Sequence, residues 1–300
     1  MTQTALILGG SGRFGRHMTR AFNDAGWITR QFDRKTDSLM QAGQGADVIV
    51  AGWNPPYHHW ADQVPQLHAQ VRAAALAHGA TVILPGNVYV FGADTPAPWG
   101  ADTPHRAANP LGRIRREMEE AYRRDGVRTI LLRAGDFIDT AQSGNWLDRM
   151  MLPSVPRGAL TYPGRADIPH AWAFLPDLAR AAVMLANQRD RLDRFADIPF
   201  PGYTLTGQQM AQVLGLINGR AIRVKPMRWW PLRLAQPLVP FVKHLFEMRY
   251  LWDTPHGLAS GTFDRLLPGF TQTPVKQALS QAQVNPDQPV AAGPGRKVAA

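Results

Sequence analysis

Cysteine is absent from this 300-residue sequence, and no apolar run reaches the length of a membrane span. Without cysteine there can be no disulfide, thiolate metal site or cysteine nucleophile, which fits a reducing compartment. No basic region precedes the short apolar run at 5–8, so we expect no secretion signal and a cytoplasmic protein. The chemistry must come from other side chains.

Acidic residues are also few: 23 Asp and Glu stand against 33 Lys and Arg, for a formal net charge of +10. The excess lies at 220–300, where eleven basic and four acidic residues leave a local +7. Such a segment attracts nucleic acid, an anionic membrane or anionic small molecules, or is simply a solvated face. It matches no recognition module, so we expect no nucleic-acid partner. Peripheral membrane contact through Trp229 and Trp230 stays open but is not favoured.

The first half of the chain alternates β-rich apolar runs with helical stretches, which is typical of βαβ units. We predict strands at 4–8, 28–32, 47–51, 80–84 and 127–133, and helices at about 13–25, 62–78 and 110–124. Right-handed crossovers then give an α/β fold with a doubly wound parallel sheet, the Rossmann fold.

Proline and glycine become frequent beyond residue 133, where we predict a strand at 159–162 and helices at about 175–187 and 206–215. The sequence predicts a dinucleotide-binding domain over 1–165 with about 166–200, and a smaller carboxyl-terminal substrate lobe over about 201–287. A disordered tail is expected at 288–300. Within the lobe, prolines exclude one long helix at 223–250.

A glycine-rich segment links the first predicted strand to the first helix. Its glycines permit a tight turn with positive φ and close approach of a pyrophosphate, and the N–H groups at the helix start attract phosphate. The segment therefore predicts a dinucleotide site formed by Gly9, Gly10, Ser11, Gly12, Arg13, Phe14 and Gly15. Eighteen residues later, Asp33 is placed to accept the adenosine ribose hydroxyls, whereas Arg34 equally suits a 2′-phosphate. NAD and NADP both stay open.

Further motifs follow in a familiar order. They are Asp47-Val48-Ile49-Val50-Ala51, Leu84-Pro85-Gly86-Asn87-Val88-Tyr89, Asn109-Pro110-Leu111-Gly112-Arg113-Ile114-Arg115, Leu132-Arg133-Ala134-Gly135-Asp136 and Phe174-Leu175-Pro176-Asp177. With the glycine motif, they resemble the short-chain dehydrogenase/reductase superfamily in its extended, epimerase/dehydratase-like branch, over roughly residues 4–187. The resemblance implies that NAD or NADP also contacts Gly52, Pro85, Gly86, Arg115 and Ala134.

The resemblance further implies an NAD(P)-dependent epimerase/dehydratase- or reductase-like oxidoreductase that acts on a hydroxyl or carbonyl carbon. Its substrate would be a small molecule, for which an anionic compound is one alternative. The family's Ser or Thr, Tyr and Lys positions hold Asn87, Leu111 and Arg115 in this chain. Leucine cannot move a proton, whereas arginine can hold ribose hydroxyls and asparagine can hydrogen-bond a carbonyl.

Tyr89 is our first candidate for the missing proton donor, and a pocket wall is its alternative role. In an extended backbone it shares a face with Asn87, and a cation such as Arg115 would bring its pKa toward working pH. Tyr89, Asn87 and Arg115 are therefore the candidate catalytic residues.

Contacts with the substrate are predicted for Tyr57, Asp136, His170 and Trp172. The adjacent His58 and His59 complete no ligand set, so we expect no metal. The alternative function is an NAD(P)-binding sensor or interaction protein that has lost catalysis, and a homodimer stays open.

Overall fold

A six-stranded parallel sheet forms the centre of the computed structural model, which describes residues 2–283. The tail predicted at 288–300 lies outside the described residues. In chain order the strands are β1 (Thr4–Leu8), β2 (Ile28–Phe32), β3 (Val48–Ala51), β4 (Thr81–Gly86), β5 (Thr129–Arg133), β6 (Asp136–Ile138), β7 (Ala159–Tyr162), β8 (His170–Phe174), β9 (Phe195–Pro199), β10 (Tyr203–Leu205) and β11 (Arg223–Pro226). The α-helices are α1 (Arg13–Asp24), α2 (Leu39–Ala42), α3 (Trp60–His78), α4 (Pro110–Arg124), α5 (Leu175–Asn187), α6 (Gly207–Asn218), α7 (Trp230–Ala235), α8 (Pro240–Glu247), α9 (Gly261–Leu266) and α10 (Val275–Gln283).

The strand order in the main sheet is β2-β1-β3-β4-β5-β9. The chain therefore places β2 on one side of β1, and then β3 and the later strands on the other side. This reversal creates a switch point between β1 and β3. Ligands of such sheets bind outside the carboxyl ends of the strands at this point. The predicted α/β doubly wound fold is confirmed.

Helices cover both faces of the sheet, and this explains why its central strands are apolar throughout. Leu6 and Leu8 face the cluster beneath α3 and α4, while Ala5 and Ile7 face the cluster beneath α1 and α5. Successive side chains of a strand point to opposite faces, so each strand contributes to both cores.

The predicted boundaries hold closely for β1, β2, β7, α4 and α5. Helix α3 begins at Trp60, two residues early, and α6 ends at Asn218, three residues late. In α6, a capping box between Thr206 and Gln209 fixes the start, and Gly219 at φ +63° ends the helix. Strand β9, which completes the main sheet, was not predicted.

The smaller lobe contains a three-stranded sheet, β10-β8-β6, and a two-stranded sheet, β11-β7. Its strands β6, β7 and β8 precede residue 201, and the division of the chain into domains stays a prediction. Prolines separate α7 from α8, as the sequence indicated. Within the described part of the chain, no helix combines the length and apolarity needed to cross a bilayer.

A buried ion cluster connects the strand ends that border the site. The Arg133 guanidinium, on β5, donates to the carboxylates of Glu119 at 2.8 Å and Asp197 at 2.6 Å. It also donates to the backbone oxygen of Asn87 at 2.7 Å. Arg133 is fully buried, so one guanidinium ties α4, β5, β9 and the loop after β4 together.

We expect Arg133→Met to lower the free energy of unfolding by about 3–5 kcal/mol, because two buried carboxylates would lose the guanidinium that pairs with both of them. Urea denaturation measures the change. The control is Arg20→Met, whose side chain is 83% exposed in a pair with Asp24, and whose effect should stay under about 1 kcal/mol. Equal effects of the two substitutions would contradict the role given to Arg133.

Candidate functional site

The turn between β1 and α1 leaves no room for side chains. Gly9 has φ +71°, and a Cβ at Gly15 would lie 2.2 Å from the Gly9 carbonyl oxygen. After β3, a Cβ at Gly52 would lie 2.5 Å from the carbonyl oxygen of Leu8. Glycine is therefore required at these points for the start of α1 to approach the ends of β1 and β3.

The start of α1 has the properties of an anion site. Gly12 is its N-cap, no side chain caps the helix, and the first turn carries no acidic residue. The first N–H groups of a helix and its dipole favour negative charge. A Cβ at Gly12 would meet only one atom within 4 Å, the Gly9 oxygen at 3.2 Å. The bare turn and its donors fit a diphosphate.

Gly10 and Ser11 belong to the same turn. A Cβ at Gly10 would lie 1.7 Å from Oε1 of Gln31, whose amide donates to Thr19 at 2.9 Å. Gln31 therefore covers one side of the turn. Sequence reasoning missed Gln31, although its position beside the end of β2 is the available signal. Ser11 is exposed.

The side chains of Arg13 and Phe14 leave the turn in different directions. Arg13 donates to the backbone oxygen of Ser143 at 2.7 Å, and Phe14 is buried in the core beneath α1 and α5. Direct cofactor contact by either side chain stays a prediction.

Asp33 and Arg34 are exposed and follow β2, where Phe32 pairs with Leu8. This register places them level with the glycine turn. One carboxylate oxygen of Asp33 accepts the N–H of Lys35 at 2.9 Å. The arrangement suits a ribose or a 2′-phosphate equally.

The carboxyl ends of β4 and β5 form the next part of the edge. The Ala134 N–H donates to the oxygen of Gly86 at 3.1 Å, which holds the two strand ends together. Arg115 donates to the oxygen of Pro85 and is only 5% exposed, with its guanidinium 5.9 Å from the ring centre of Trp60. Arg115 therefore supports the end of β4 from within the protein, and its predicted contact with a ribose stays a prediction.

Two tyrosines meet at this edge. Tyr57 lies on a 3-10 helix after β3, and Tyr89 on another after β4, and their hydroxyl oxygens are 2.6 Å apart. The ring of Trp60 packs against both. The structure thus pairs two of the predicted site residues through a hydrogen bond that links positions 32 residues apart.

The backbone is extended at Asn87 itself but enters a 3-10 helix at Val88, so the extended run from Asn87 to Tyr89 that the sequence argument assumed does not form. Asn87 is the N-cap of the 3-10 helix Val88–Val90, and its side-chain oxygen accepts the N–H of Tyr89 at 3.1 Å. Asn87 therefore orients Tyr89 through the backbone, because its side-chain oxygen closes the first turn of the helix.

Burial raises the pKa of Tyr89 well above its ordinary value, and the charges of Tyr57 and Asp136 raise it further. The pKa of Tyr89 is thus raised, and not brought toward working pH as the sequence argument expected. Burial also raises the pKa of Tyr57, against the smaller effects of its hydrogen bond to Tyr89 and of nearby Arg13. Both phenols therefore stay protonated at neutral pH, and each is a weaker acid than a solvent-exposed tyrosine.

Asp136 and His170 form a second polar pair, with Oδ2 and Nε2 2.7 Å apart. His170 and Trp172 lie on β8 and are buried, whereas a surface loop was the alternative for His170. The imidazole of His170 stacks on Trp252 at 4.2 Å. The charge of Asp136 also raises the pKa of both tyrosines.

His256 lies behind this pair, and sequence reasoning missed it. Its ring is 4.4 Å from that of His170 and stacks on Trp99 at 4.7 Å. Burial, assisted by the charge of His170, lowers the pKa of His256 to about 3. Within the described residues, Nε2 of His256 and Nε1 of Trp172 have no hydrogen-bond partner.

Helix α8 closes one side of the site. Phe241 stacks on Tyr57 with ring centres 5.5 Å apart, and Glu247 accepts the N–H of Leu111 at 2.6 Å. Leu111, at the position where the family has tyrosine, is 1% exposed. Glu247 therefore caps α4 at the point where a catalytic hydroxyl would be expected.

One group of potential metal ligands occurs among the described residues: His105, Glu119 and Asp197, whose ligand atoms lie within 4.8 Å of one another. Arg133 already binds both carboxylates. Its guanidinium occupies the place that a cation would need, so this group is an ion cluster of the core.

No family model and no curated protein sequence matches the chain. Among solved structures, a nucleoside-diphosphate-sugar epimerase from Staphylococcus aureus aligns over 93% of this chain and 100% of its own, at 18% identity and TM-score 0.66. MoeE5, solved with UDP-glucose and NAD, aligns over 93% and 97%, at 13% identity and TM-score 0.69. A dTDP-4-dehydrorhamnose reductase from Bacillus anthracis, solved with NADP, aligns over 76% and 84%, at 15% identity and TM-score 0.62.

This chain has the fold of those epimerases and reductases. The resemblance to the extended short-chain dehydrogenase branch is confirmed in the fold. The likeness also extends past residue 187, since the first two neighbours cover most of the lobe as well as the sheet.

A second buried ion pair supports the start of α1, and it predicts a pH dependence. Arg16 binds both oxygens of Asp139, and His17 Nε2 lies 2.9 Å from the same carboxylate. Burial raises the pKa of Asp139, but hydrogen bonds from His17, Ser143 and Arg16 outweigh it and lower that pKa to about 2. This lowered pKa corresponds to roughly 2 kcal/mol of stability at neutral pH.

We expect Asp139→Asn to lower the free energy of unfolding by about 2 kcal/mol at pH 7. Because the native pKa lies below the ordinary value of 3.8, this stability is present above pH 3.8 and is lost as the pH falls toward about 2. Urea titrations at several pH values should show the two proteins converging at the acid end. Asp24→Asn, at an exposed pair, is the control; a difference for Asp139→Asn that is constant with pH would contradict the assignment.

Proposed function

We propose that this protein is an NAD(P)-dependent oxidoreductase of the epimerase/dehydratase-like or reductase-like kind. It acts on a hydroxyl or carbonyl carbon of a small molecule. The proposal rests chiefly on one juxtaposition: the hydrogen-bonded hydroxyls of Tyr57 and Tyr89 border the same sheet edge as the uncapped start of α1. The neighbours solved with NAD and with NADP support a nicotinamide cofactor.

The cofactor would lie across the carboxyl ends of β1, β3, β4 and β5. Its diphosphate would meet the N–H groups at the start of α1, and its adenosine ribose would lie toward Asp33 and Arg34. Gly52, Gly86 and Ala134 present backbone without bulk along the path toward the tyrosines. The choice between NAD and NADP depends on whether Asp33 or Arg34 meets the ribose.

When bound there, a nicotinamide supplies or accepts a hydride at the substrate carbon. Tyr89 donates a proton to the substrate oxygen in the reducing direction, and Tyr57 hydrogen-bonds the phenolate that forms. Asn87 holds the backbone of Tyr89 in place. Asp136, oriented by His170, lies on the lobe side of the site and is suited to hydrogen-bond a substrate hydroxyl.

The structural neighbours indicate which substrate class to test first. MoeE5 was solved with UDP-glucose and with UDP-glucuronic acid, so sugar nucleotides are the first class to test. Asp136 suits the hydroxyl groups of a sugar, because a carboxylate accepts hydrogen bonds only.

A dinucleotide-binding protein without catalysis is the second candidate. The observations that favour it are the buried Leu111 at the family's tyrosine position and the buried Arg115 at its lysine position. Such a protein would bind the cofactor through the same backbone turn. Both candidates therefore bind the cofactor, and only the enzyme converts a substrate.

We expect Gly12→Ala to weaken binding of the reduced cofactor at least about tenfold, because the methyl group would stand in the open cradle where the diphosphate lies. The methyl would also lie 3.2 Å from the Gly9 backbone oxygen, so urea denaturation measures in parallel how much stability this tight contact costs. Calorimetry with NADH and NADPH measures the affinity. The control is Gly261→Ala, where no atom lies within 4 Å. Unchanged affinity in Gly12→Ala would contradict the proposed cradle.

Tyr89→Phe should lower turnover by about a hundredfold, the usual loss when a proton donor is deleted, and leave cofactor affinity unchanged. Tyr57→Phe should cost less, because it removes only the hydrogen-bond partner. The control is Tyr203→Phe, which removes a hydroxyl bound to Thr273 in the lobe. Cofactor binding without turnover on any sugar nucleotide or simple carbonyl compound would favour the second candidate. Full turnover in Tyr89→Phe would refute the proton donor.

A further inference from the structure

An apolar patch projects from α7, α8 and the turn between them. We call it the α7–α8 patch; its exposed fractions are Trp230 62%, Leu234 71%, Leu238 85%, Val239 43% and Phe241 37%. Single exposed apolar residues are normal in proteins, but here five fall within twelve consecutive residues. The rest of the described chain has five exposed large apolar side chains, and they are dispersed over residues 28–216.

The sequence associated both Trp229 and Trp230 with this surface, and the structure separates them. Trp229 is 9% exposed, and its indole donates to the oxygen of Pro163 at 2.7 Å. Trp229 therefore anchors the segment to the protein, whereas Trp230 faces outward.

The segment that carries the patch is rich in exposed cations. Six basic residues between 223 and 249 are exposed: Arg223, Lys225, Arg228, Arg233, Lys243 and Arg249. None of the six forms an ion pair with a residue in the described part of the chain. The one acid in this span, Glu247, turns inward and caps α4. The outer surface of the segment is therefore apolar and cationic.

An anionic lipid bilayer is the partner that matches both properties. Its headgroups attract Lys and Arg, and its interface accommodates Trp and Leu. The backbone also suits this environment, because the N–H groups of Leu238 and Val239 both donate to Ala235 and do not require water. A second copy of the chain fits less well, since a two-fold contact through this patch would bring the same cations together.

The patch adjoins the candidate site. Phe241 stacks on Tyr57 with an angle of 4° between the rings, and Tyr57 hydrogen-bonds Tyr89. We propose that the α7–α8 patch docks this protein on the surface of an anionic bilayer and so holds the candidate site beside the headgroups. This inference goes beyond the proposed function and does not depend on it, because docking requires neither cofactor nor turnover.

Co-sedimentation of the full chain with lipid vesicles tests the proposal. We expect retention on vesicles of equal parts phosphatidylcholine and phosphatidylglycerol, and weak retention on phosphatidylcholine alone. Each cation near an anionic surface contributes roughly fivefold in affinity, so salt should release the protein.

A matched pair of variants separates the patch from general surface effects. Leu234→Glu should lower the partition coefficient at least about tenfold, since it replaces an inserted apolar side chain by a charge that anionic lipid repels. Leu216→Glu adds the same charge at a leucine on α6 that is also 71% exposed, and it should reduce binding far less. Circular dichroism confirms that both variants are folded.

Three results would overturn the proposal. The first is no retention of the protein on anionic vesicles at low salt. The second is an equal loss of vesicle binding in Leu234→Glu and Leu216→Glu. The third is vesicle binding by Leu234→Glu that equals that of the unchanged protein. Analytical ultracentrifugation adds one more: a dimer that Leu234→Glu dissociates, together with no vesicle binding, would assign the patch to self-association. Loss of cofactor binding with vesicle binding intact would instead refute the proposed function alone.

Discussion

The turn between β1 and α1 depends on one close contact, between the Gly9 carbonyl and the start of α1 at Gly15. With a Cβ at Gly15 the two would overlap, because that atom would lie 2.2 Å from the Gly9 oxygen. The turn can therefore exist only as bare backbone, and bare backbone is what exposes the first N–H groups of the helix. Packing of α1 against β1 and the exposed N–H groups at its start are two results of one steric requirement.

The rest of the site is assembled on strand ends that are fixed from inside. Arg133 holds the loop after β4 through Asn87, and Arg115 holds the last strand residues through Pro85. Both cations thus support the backbone of this protein, and Arg115 is the one for which the sequence resemblance implied a cofactor contact. Under the proposed function, the hydroxyl chemistry falls to Tyr89 and its partner Tyr57, which lie on short helices after β4 and β3.

Much of the fold could be predicted because its information is local. Buried apolar runs and turn residues located β1, β2, α4 and α5, and the glycine segment indicated where the sheet edge opens. The site was predicted less completely, because its contacts join distant parts of the chain. The pairing of Tyr57 with Tyr89, and of Asp136 with His170, spans 32 and 34 residues. No local sequence pattern indicates that Asn87 caps a 3-10 helix, or that His256 lies behind His170.

A crystal structure of the protein with bound NADPH or NADH tests the central claim most directly. The account predicts diphosphate oxygens within hydrogen-bond distance, about 3 Å, of the backbone N–H groups at the start of α1, and the nicotinamide beside Tyr89. A dinucleotide bound elsewhere, or a diphosphate held by side chains away from Gly9 and Gly12, would contradict it.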